Sequence, residues 1–248
     1  MEPSKVILVG AGPGDPDLIT VKGLKAIQTA DAILYDALSS EELLKEASHH
    51  AQLIYVGKRC GRHSLKQQDI NALLLHMSQT HQNVVRLKGG DPYIFGRGHE
   101  EQMFLEKKGV TVEVIPGISS VTSLASIQKV PLTRRNISES FWVLTGTTKD
   151  HQLSADIQQA VQTNATLVIL MGTRKLVQIS QLLINAHKSD LPMMIIENGS
   201  RVDEKVHIGT AKEFINGASI SGPGIIIIGE VVNLHPDFVK SYAKSQWI

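Results

Sequence analysis

VILVGAGPGDPDLIT, residues 6–20, decides how the rest of the chain is read. An apolar run leads straight into GAGPG, the pattern of a strand passing into a glycine turn. Glycine permits positive φ and, lacking Cβ, lets a ligand lie against the backbone. In open α/β sheets such turns stand at the C-terminal ends of strands, where ligands bind. Read as a dinucleotide cradle, the turn has support from Asp36, which ends the second apolar run about 20 residues on, where an acid would bind a ribose. Against that reading, Pro13 removes an N–H donor, and Asp15 stands in place of a third glycine with a negative charge where pyrophosphate would sit. A loop that repels phosphate suits a cofactor that has none.

Outward from this turn, short β-branched runs alternate with helical periods. Residues 6–9, 32–35, 53–56, 84–87 and 112–115 read as strands. Between the third and fourth, Ile70, Leu73, Leu74 and Met77 form the i, i+3, i+4, i+7 stripe of an amphipathic helix. Leu24 and Ile27 mark another helix after the opening turn. This βαβ alternation predicts a mainly parallel sheet with helices on its faces. A second series follows Pro116-Gly117, with strands at 141–144, 167–170, 193–196, 206–208 and 225–228 and a helix marked by Leu176, Ile179, Leu182 and Leu183. The close spacing of the last two strands is compatible with their pairing antiparallel. The expectation is therefore two α/β domains, 1–116 with a mainly parallel sheet and 117–248 with a mixed one, and an active-site cleft between them.

The glycine theme recurs. In VRLKGGDPYIFGRG, residues 85–98, the fourth strand ends in Gly89-Gly90-Asp91, and Gly96 and Gly98 flank Arg97 where the next helix begins. Two adjacent glycines after a strand are costly unless backbone must be closely approached. VIPGISS repeats strand, turn and helix start, with Ser119 and Ser120 as N-cap candidates whose helix end would offer N–H groups to a carboxylate. Gly199, after IIEN, is a fourth glycine beyond a strand end. Four such turns in one chain point to a single site.

Composition narrows the classes. At 248 residues, 42% hydrophobic and 20% charged, the chain can bury a sizeable core. A net charge of +1 gives no global field to recruit nucleic acid or a membrane surface, so an anionic substrate must be met by clustered bases. Cys60 is the only cysteine, which excludes an internal disulfide and a cysteine-built zinc site. The ten histidines include no HExxH motif, so no metal is expected. No leader-like apolar run opens the chain and no segment approaches the ~20 apolar residues of a membrane helix, so the expected place is the cytoplasm.

In these residues the chain resembles the tetrapyrrole methylase family and, within it, the uroporphyrinogen-III C-methyltransferases. The resemblance rests on VGAGPGDPDLIT, ADAILYD, IYVGKR, INALL, VVRLKGGDPYIFGRG, VIPGISS, VPLTRR, VLTG, Met171-Gly172 and ENG at 197–199, in order and at the family's spacing. It implies S-adenosylmethionine as methyl donor, released as S-adenosylhomocysteine. It also implies two methylations of uroporphyrinogen III, giving precorrin-2 for siroheme or cobalamin, and a homodimer. Carried over by position, the cofactor contacts fall on Pro13, Gly89, Gly90, Asp91, Ile94, Ser119, Ser120, Met171 and Gly199. The proton acceptor falls on Asp36 and the proton donor on Lys58. Domain 1–116 would face the substrate and domain 117–248 the cofactor. The chain departs from the family where Ser119-Ser120 replaces Thr-Ala, Arg134-Arg135 replaces His-Arg, and His99 replaces glycine. Fused members carry a dehydrogenase–ferrochelatase half for which this sequence lacks the length, so methyl transfer alone is expected.

The chemistry asks little beyond placement. A sulfonium methyl is already activated, so transfer to an electron-rich ring carbon needs a dry, well-positioned site. The methylated ring must then lose a proton from a neighbouring carbon, which requires one base, and Asp36 at a strand end supplies it. A polycarboxylate macrocycle calls for cations, and Lys58, Arg59, Arg62, Lys88, Arg97, Arg134 and Arg135 all lie at predicted strand ends or loops. The same turns would also serve a later precorrin or cobalt-precorrin methyltransferase with altered substrate loops. A nicotinamide oxidoreductase would want the missing third glycine. A non-enzymatic binding module leaves the four turns unexplained, and a ribosomal-RNA methyltransferase would want a basic stripe.

Overall fold

The β-branched runs and amphipathic segments assemble as two sheets, each with its own covering helices. The computed structural model describes residues 4–38, 41–57 and 65–237, and the chain divides into two units, Met1–Ser119 and Ser120–Ile248.

The first unit runs β1 (Lys5–Gly10), α1 (Val21–Gln28), β2 (Ala32–Tyr35), α2 (Glu41–Lys45), β3 (Gln52–Tyr55), α3 (Gln67–Thr80), β4 (Asn83–Lys88), α4 (Gly98–Glu106) and β5 (Thr111–Ile115). Its sheet has the order β3-β2-β4-β1-β5 with every pair parallel, as the βαβ pattern predicts. A parallel sheet is covered on both faces, so its central strands are apolar throughout and sort by period two. Ile7, Val9, Ile33, Val85 and Leu87 pack with Ala26 and Ile27 of α1. Val6, Leu8, Leu34 and Val84 pack on the other side with Leu74 and Met77 of α3 and Leu105 of α4. Thr20 caps α1, its hydroxyl accepting from the Gly23 N–H at 3.1 Å.

The second unit comprises α5 (Ser120–Ile127), β6 (Phe141–Thr145), α6 (Asp156–Ala160), β7 (Thr166–Leu170), α7 (Leu176–Asn185), β8 (Pro192–Glu197), β9 (Lys205–Thr210), α8 (Ala211–Phe214) and β10 (Gly224–Ile228). The order is β6-β7-β10-β8-β9, mixed as expected: β6 and β7 are parallel, and β10 is antiparallel to both β7 and β8. The last two strands do not pair with each other. Each instead pairs antiparallel with β8. Composition explains the outcome: Ile225, Ile226, Ile227 and Ile228 are all buried, a run that needs a strand on either side, whereas KVHIGT in β9 carries polar residues and takes the edge.

The sequence places a boundary at Pro116, and the division falls after Ser119 because Gly117 is tied to the first unit. Its N–H donates to Asp91 Oδ2 at 3.1 Å. No helix among the described residues is long and apolar enough to cross a membrane.

Candidate active site

In the first unit, parallel pairing puts the ends of β2, β4, β1 and β5 along one edge of the sheet. Asp36 follows β2, Gly89-Gly90-Asp91 follows β4, the Gly10–Pro13 turn follows β1, and Gly117 to Ser119 follow β5. β1 and β4 are neighbours from which the chain departs to opposite sides, the switch point where such sheets bind ligands. The turns touch backbone to backbone. Gly90 N–H donates to the Gly12 carbonyl at 2.7 Å and Gly12 N–H returns a bond to the Gly90 carbonyl at 3.3 Å. A Cβ on Gly117 would stand 2.6 Å from Gly10 Cα and would overlap the Gly90 carbonyl oxygen. Asp91 joins two of the turns, since its Oδ1 accepts from Tyr93 N–H at 2.8 Å and its Oδ2 from Gly117 N–H. Gly90 itself has φ +65°, and a Cβ there would meet nothing within 4 Å, so its backbone faces open space. Asp15, the charge that argued against phosphate, caps the turn at Pro16–Leu18 by accepting from Asp17 N–H at 2.9 Å.

Asp36 is partly exposed and held on both oxygens. Oδ2 accepts from Arg86 Nη2 at 3.0 Å and Oδ1 from Leu38 N–H at 3.1 Å. Arg86 on β4 is buried and reaches on, its Nε lying 3.4 Å from Glu101 Oε1 of α4. Lys88 Nζ donates to both Glu101 oxygens at 3.1 Å, and Gln67 Nε2 of α3 adds a bond at 3.0 Å. Lys88 therefore does not meet substrate as the sequence reading expects. It shares the β4 face of Val84 and Arg86, turned toward the helices, and is 4% exposed. Burial pulls its pKa below the ordinary lysine value and the Arg86 charge lowers it further, with Glu101 opposing.

The remaining residues of this edge sort by exposure. Gly89 lies under the side chain of Leu38: a Cβ there would stand 2.5 Å from Leu38 Cβ. Ile94 is exposed beside Tyr93 and Phe95, and Pro13 is half-buried in its turn. Arg97, left-handed at φ 59°, opens α4 and pairs with Glu100 at 2.9 and 2.6 Å in solvent. Lys58 lies outside the described residues, as do Arg59, Cys60 and Arg62.

In the second unit β6, β7 and β8 all point the same way, with β10 running against them, so their ends share an edge. Met171, after β7, is left-handed at φ 54° and half-exposed, and its carbonyl accepts from Thr147 Oγ1 at 2.8 Å. A left-handed non-glycine residue at a strand end is a strain site of the kind that gathers where ligands bind. Gly199 follows β8 beneath Leu124 of α5, and a Cβ would stand 2.7 Å from Leu124 Cδ2. Just before it, Glu197 is buried. Its Oε1 accepts from the Ser221 hydroxyl at 2.8 Å, Ser221 N–H at 2.9 Å and Gly222 N–H at 2.6 Å. The Ser221 bonds, hydroxyl first, and then the Gly222 N–H outweigh desolvation and hold its pKa down to about 2. Ser120 begins α5 and Ser119 directly precedes it. Arg134 and Arg135 are exposed.

The predicted cofactor-contact and catalytic residues among those described divide between the two units. Pro13, Asp36, Gly89, Gly90, Asp91, Ile94 and Ser119 belong to the first, and Ser120, Met171 and Gly199 to the second unit. Sequence reading did not foresee the Arg86–Glu101–Lys88 cluster. Its signal was present in VVRLK, where two cations two residues apart interrupt an apolar strand and so share one buried face. Nor did it foresee that Gly146 and Gly172 touch at the ends of β6 and β7.

A sequence profile of the tetrapyrrole (corrin/porphyrin) methylases matches residues 5–215. A protein of Methanocaldococcus jannaschii named uroporphyrinogen-III C-methyltransferase is 45% identical over 93% of this chain and 97% of its own length. A siroheme synthase of Vesicomyosocius okutanii is 41% identical over 92% of this chain, which spans 50% of that longer protein. Among solved structures, uroporphyrin-III C-methyl transferase from Thermus thermophilus, complexed with S-adenyl homocysteine, superposes with a TM-score of 0.82 at 37% identity. The match covers 93% of this chain and 100% of that one. With glycine turns meeting at the switch point of a parallel sheet, a mixed second sheet, a family profile over residues 5–215 and a relative matched along 97% of its length, the chain belongs to the tetrapyrrole methylase family.

Proposed function

We propose that this chain uses S-adenosylmethionine to methylate two ring carbons of uroporphyrinogen III, giving precorrin-2. The observation that carries the reading is Asp36, a partly exposed carboxylate fixed at the edge where the turns after β1, β4 and β5 interlock. The 45% identity across 97% of the M. jannaschii relative supports it.

The residues present fit a phosphate-free cofactor. Pro13 offers no N–H, Asp15 puts a carboxylate in the first turn, and the open backbone at Gly90 leaves room for a ligand to approach. Pro13, Gly90, Asp91, Ile94, Ser119, Ser120 and Met171 would hold it. Gly89 and Gly199 would contribute backbone alone, since Leu38 and Leu124 fill the space beside them. When bound, the cofactor supplies an electrophilic methyl group.

The chain's own residues do the rest. The fixed turns position the reactants, which is where most of the rate of such a transfer originates. Once a ring carbon has gained its methyl group, a neighbouring carbon must release a proton, and the Asp36 carboxylate accepts it. Both Asp36 oxygens keep a lone pair beyond those used by Arg86 and Leu38. Exposed Arg134 and Arg135 are suited to substrate carboxylates, and Lys58 is proposed as proton donor on resemblance. Homodimer assembly and cytoplasmic location belong to the same reading, and light scattering of the purified protein tests the first.

Incubation with uroporphyrinogen III and S-adenosylmethionine should give a doubly methylated tetrapyrrole by mass spectrometry, and its absence would overturn the reading. Asp36→Ala should keep cofactor affinity by calorimetry while losing roughly 10²–10⁴-fold in turnover, the contribution of a positioned base. An unchanged rate would remove Asp36 from that role.

A further inference from the structure

We infer that Arg86 is a positioning residue for Asp36, locked by Glu101 and Lys88. The inference rests on the reading of Asp36 as proton acceptor. Arg86 is 3% exposed, so any influence it has on a bound substrate passes through a group it touches. Each of its three guanidinium nitrogens is engaged: Nη2 to Asp36, Nε to Glu101, and Nη1 to the Leu87 carbonyl at 2.7 Å and the Leu34 carbonyl at 3.4 Å. Such a planar fork cannot rotate without breaking bonds on every side. Asp36, by contrast, stands where β2 passes into a loop, and its side chain is free to swing unless it is held. Arg86 takes one oxygen and the Leu38 N–H takes the other, and Leu38 is itself seated over Gly89.

The charge count points the same way. Arg86, Lys88 and Glu101 are buried and carry a surplus of one cation, which Asp36 balances. Asp36 is the one member of the four that reaches solvent, with its side chain 24% exposed. Buried ion clusters are commonly no better for stability than apolar packing, so stability alone is a weak reason for one here. A cluster whose one exposed member is a carboxylate at the active edge acts as a rigid mount for that carboxylate.

The test compares Arg86→Lys, Asp36→Asn and the double variant, with kcat, KM for each substrate, cofactor affinity and thermal midpoint measured for all three. Lysine keeps the charge but loses the fork. Arg86→Lys should lower kcat by about 10- to 100-fold, the scale of a misplaced reacting group, with cofactor affinity unchanged. In the Asp36→Asn background the same change should cost nothing further in kcat, because the group it positions is gone. Should Arg86→Lys not fold, Arg86→Gln replaces it, leaving Glu101 its lysine partner. A lowered thermal midpoint with wild-type kcat would make Arg86 merely structural, and an equal loss of kcat with and without Asp36 would also overturn the inference. Wild-type turnover of Asp36→Asn alone would instead overturn the reading of Asp36 as acceptor.

Discussion

Gly90 and Gly117 look alike in the sequence, yet they differ in what a side chain would meet. At Gly117 the added Cβ would run into Gly10 and the Gly90 carbonyl, backbone that cannot move without separating β1, β4 and β5. Gly117→Ala should therefore destabilise by about 3 kcal/mol, the upper end for overpacking. At Gly90 the space is open and the cost is conformational, φ +65° being left-handed, so Gly90→Ala should lose only about 1–2 kcal/mol. Denaturant midpoints of the two variants check the ranking, and equal losses would contradict it. Gly89→Ala is a third case, in which the new methyl strikes Leu38 and so shifts the loop that holds Asp36. It should lower kcat more than cofactor affinity, and Leu38→Gly should restore part of the loss. At this scale the sequence marks both glycines of GGDP as places of close approach, and the structure separates them: Gly90 faces open space and Gly89 faces Leu38. GGDP reads as room for a ligand, but the neighbour at Gly89 is Leu38, some fifty positions away along the chain, and no local pattern names such a partner.

Elements were legible where the period was clear. The stripe of Ile70, Leu74 and Met77 is the buried side of α3, and Leu176, Ile179 and Leu183 are that of α7. Pairing was legible for parallel strands, whose helical crossovers dictate it, and not for the last two, whose order depends on competition for the centre of the sheet. The polar anchors of the elements were hidden for a similar reason: Glu197 ends β8 as an ordinary acid in sequence, and only the fold brings Ser221 and Gly222 to it. That anchor has a pH signature. A carboxyl held at about 2 when folded, against its ordinary 4.5, contributes stability that is complete above about 4.5 and lost as pH falls through about 2. Glu197→Gln should therefore be less stable than wild type near neutrality, with the gap closing as the pH is lowered through that window. Urea midpoints measured across it would refute the assignment if the gap stayed constant.

For the molecule as a whole, charge and composition narrow the classes to expect, and the order of its glycine turns carries the family resemblance. A net charge of +1 conceals local arrangement. Of the cations the sequence offers to a polycarboxylate substrate, Lys88 is spent inside the first unit and Arg97 is paired with Glu100, while Arg134 and Arg135 are exposed. VVRLK hints that Lys88 shares a buried face with Arg86, but the counter-charge that holds it there comes from Glu101 on α4, which no local pattern names. The chain spans half the length of the siroheme synthase it matches and nearly all of the M. jannaschii methyltransferase, so methylation is the step to expect of these residues. Two S-adenosylhomocysteine molecules should therefore form per uroporphyrinogen III consumed. Adding a nicotinamide cofactor and ferrous iron to the same reaction should change neither that ratio nor the product's absorption. A ratio of one would mark a single-site methyltransferase of the same fold. Oxidation or metal insertion would mean that these two units carry chemistry beyond the edge built around Asp36.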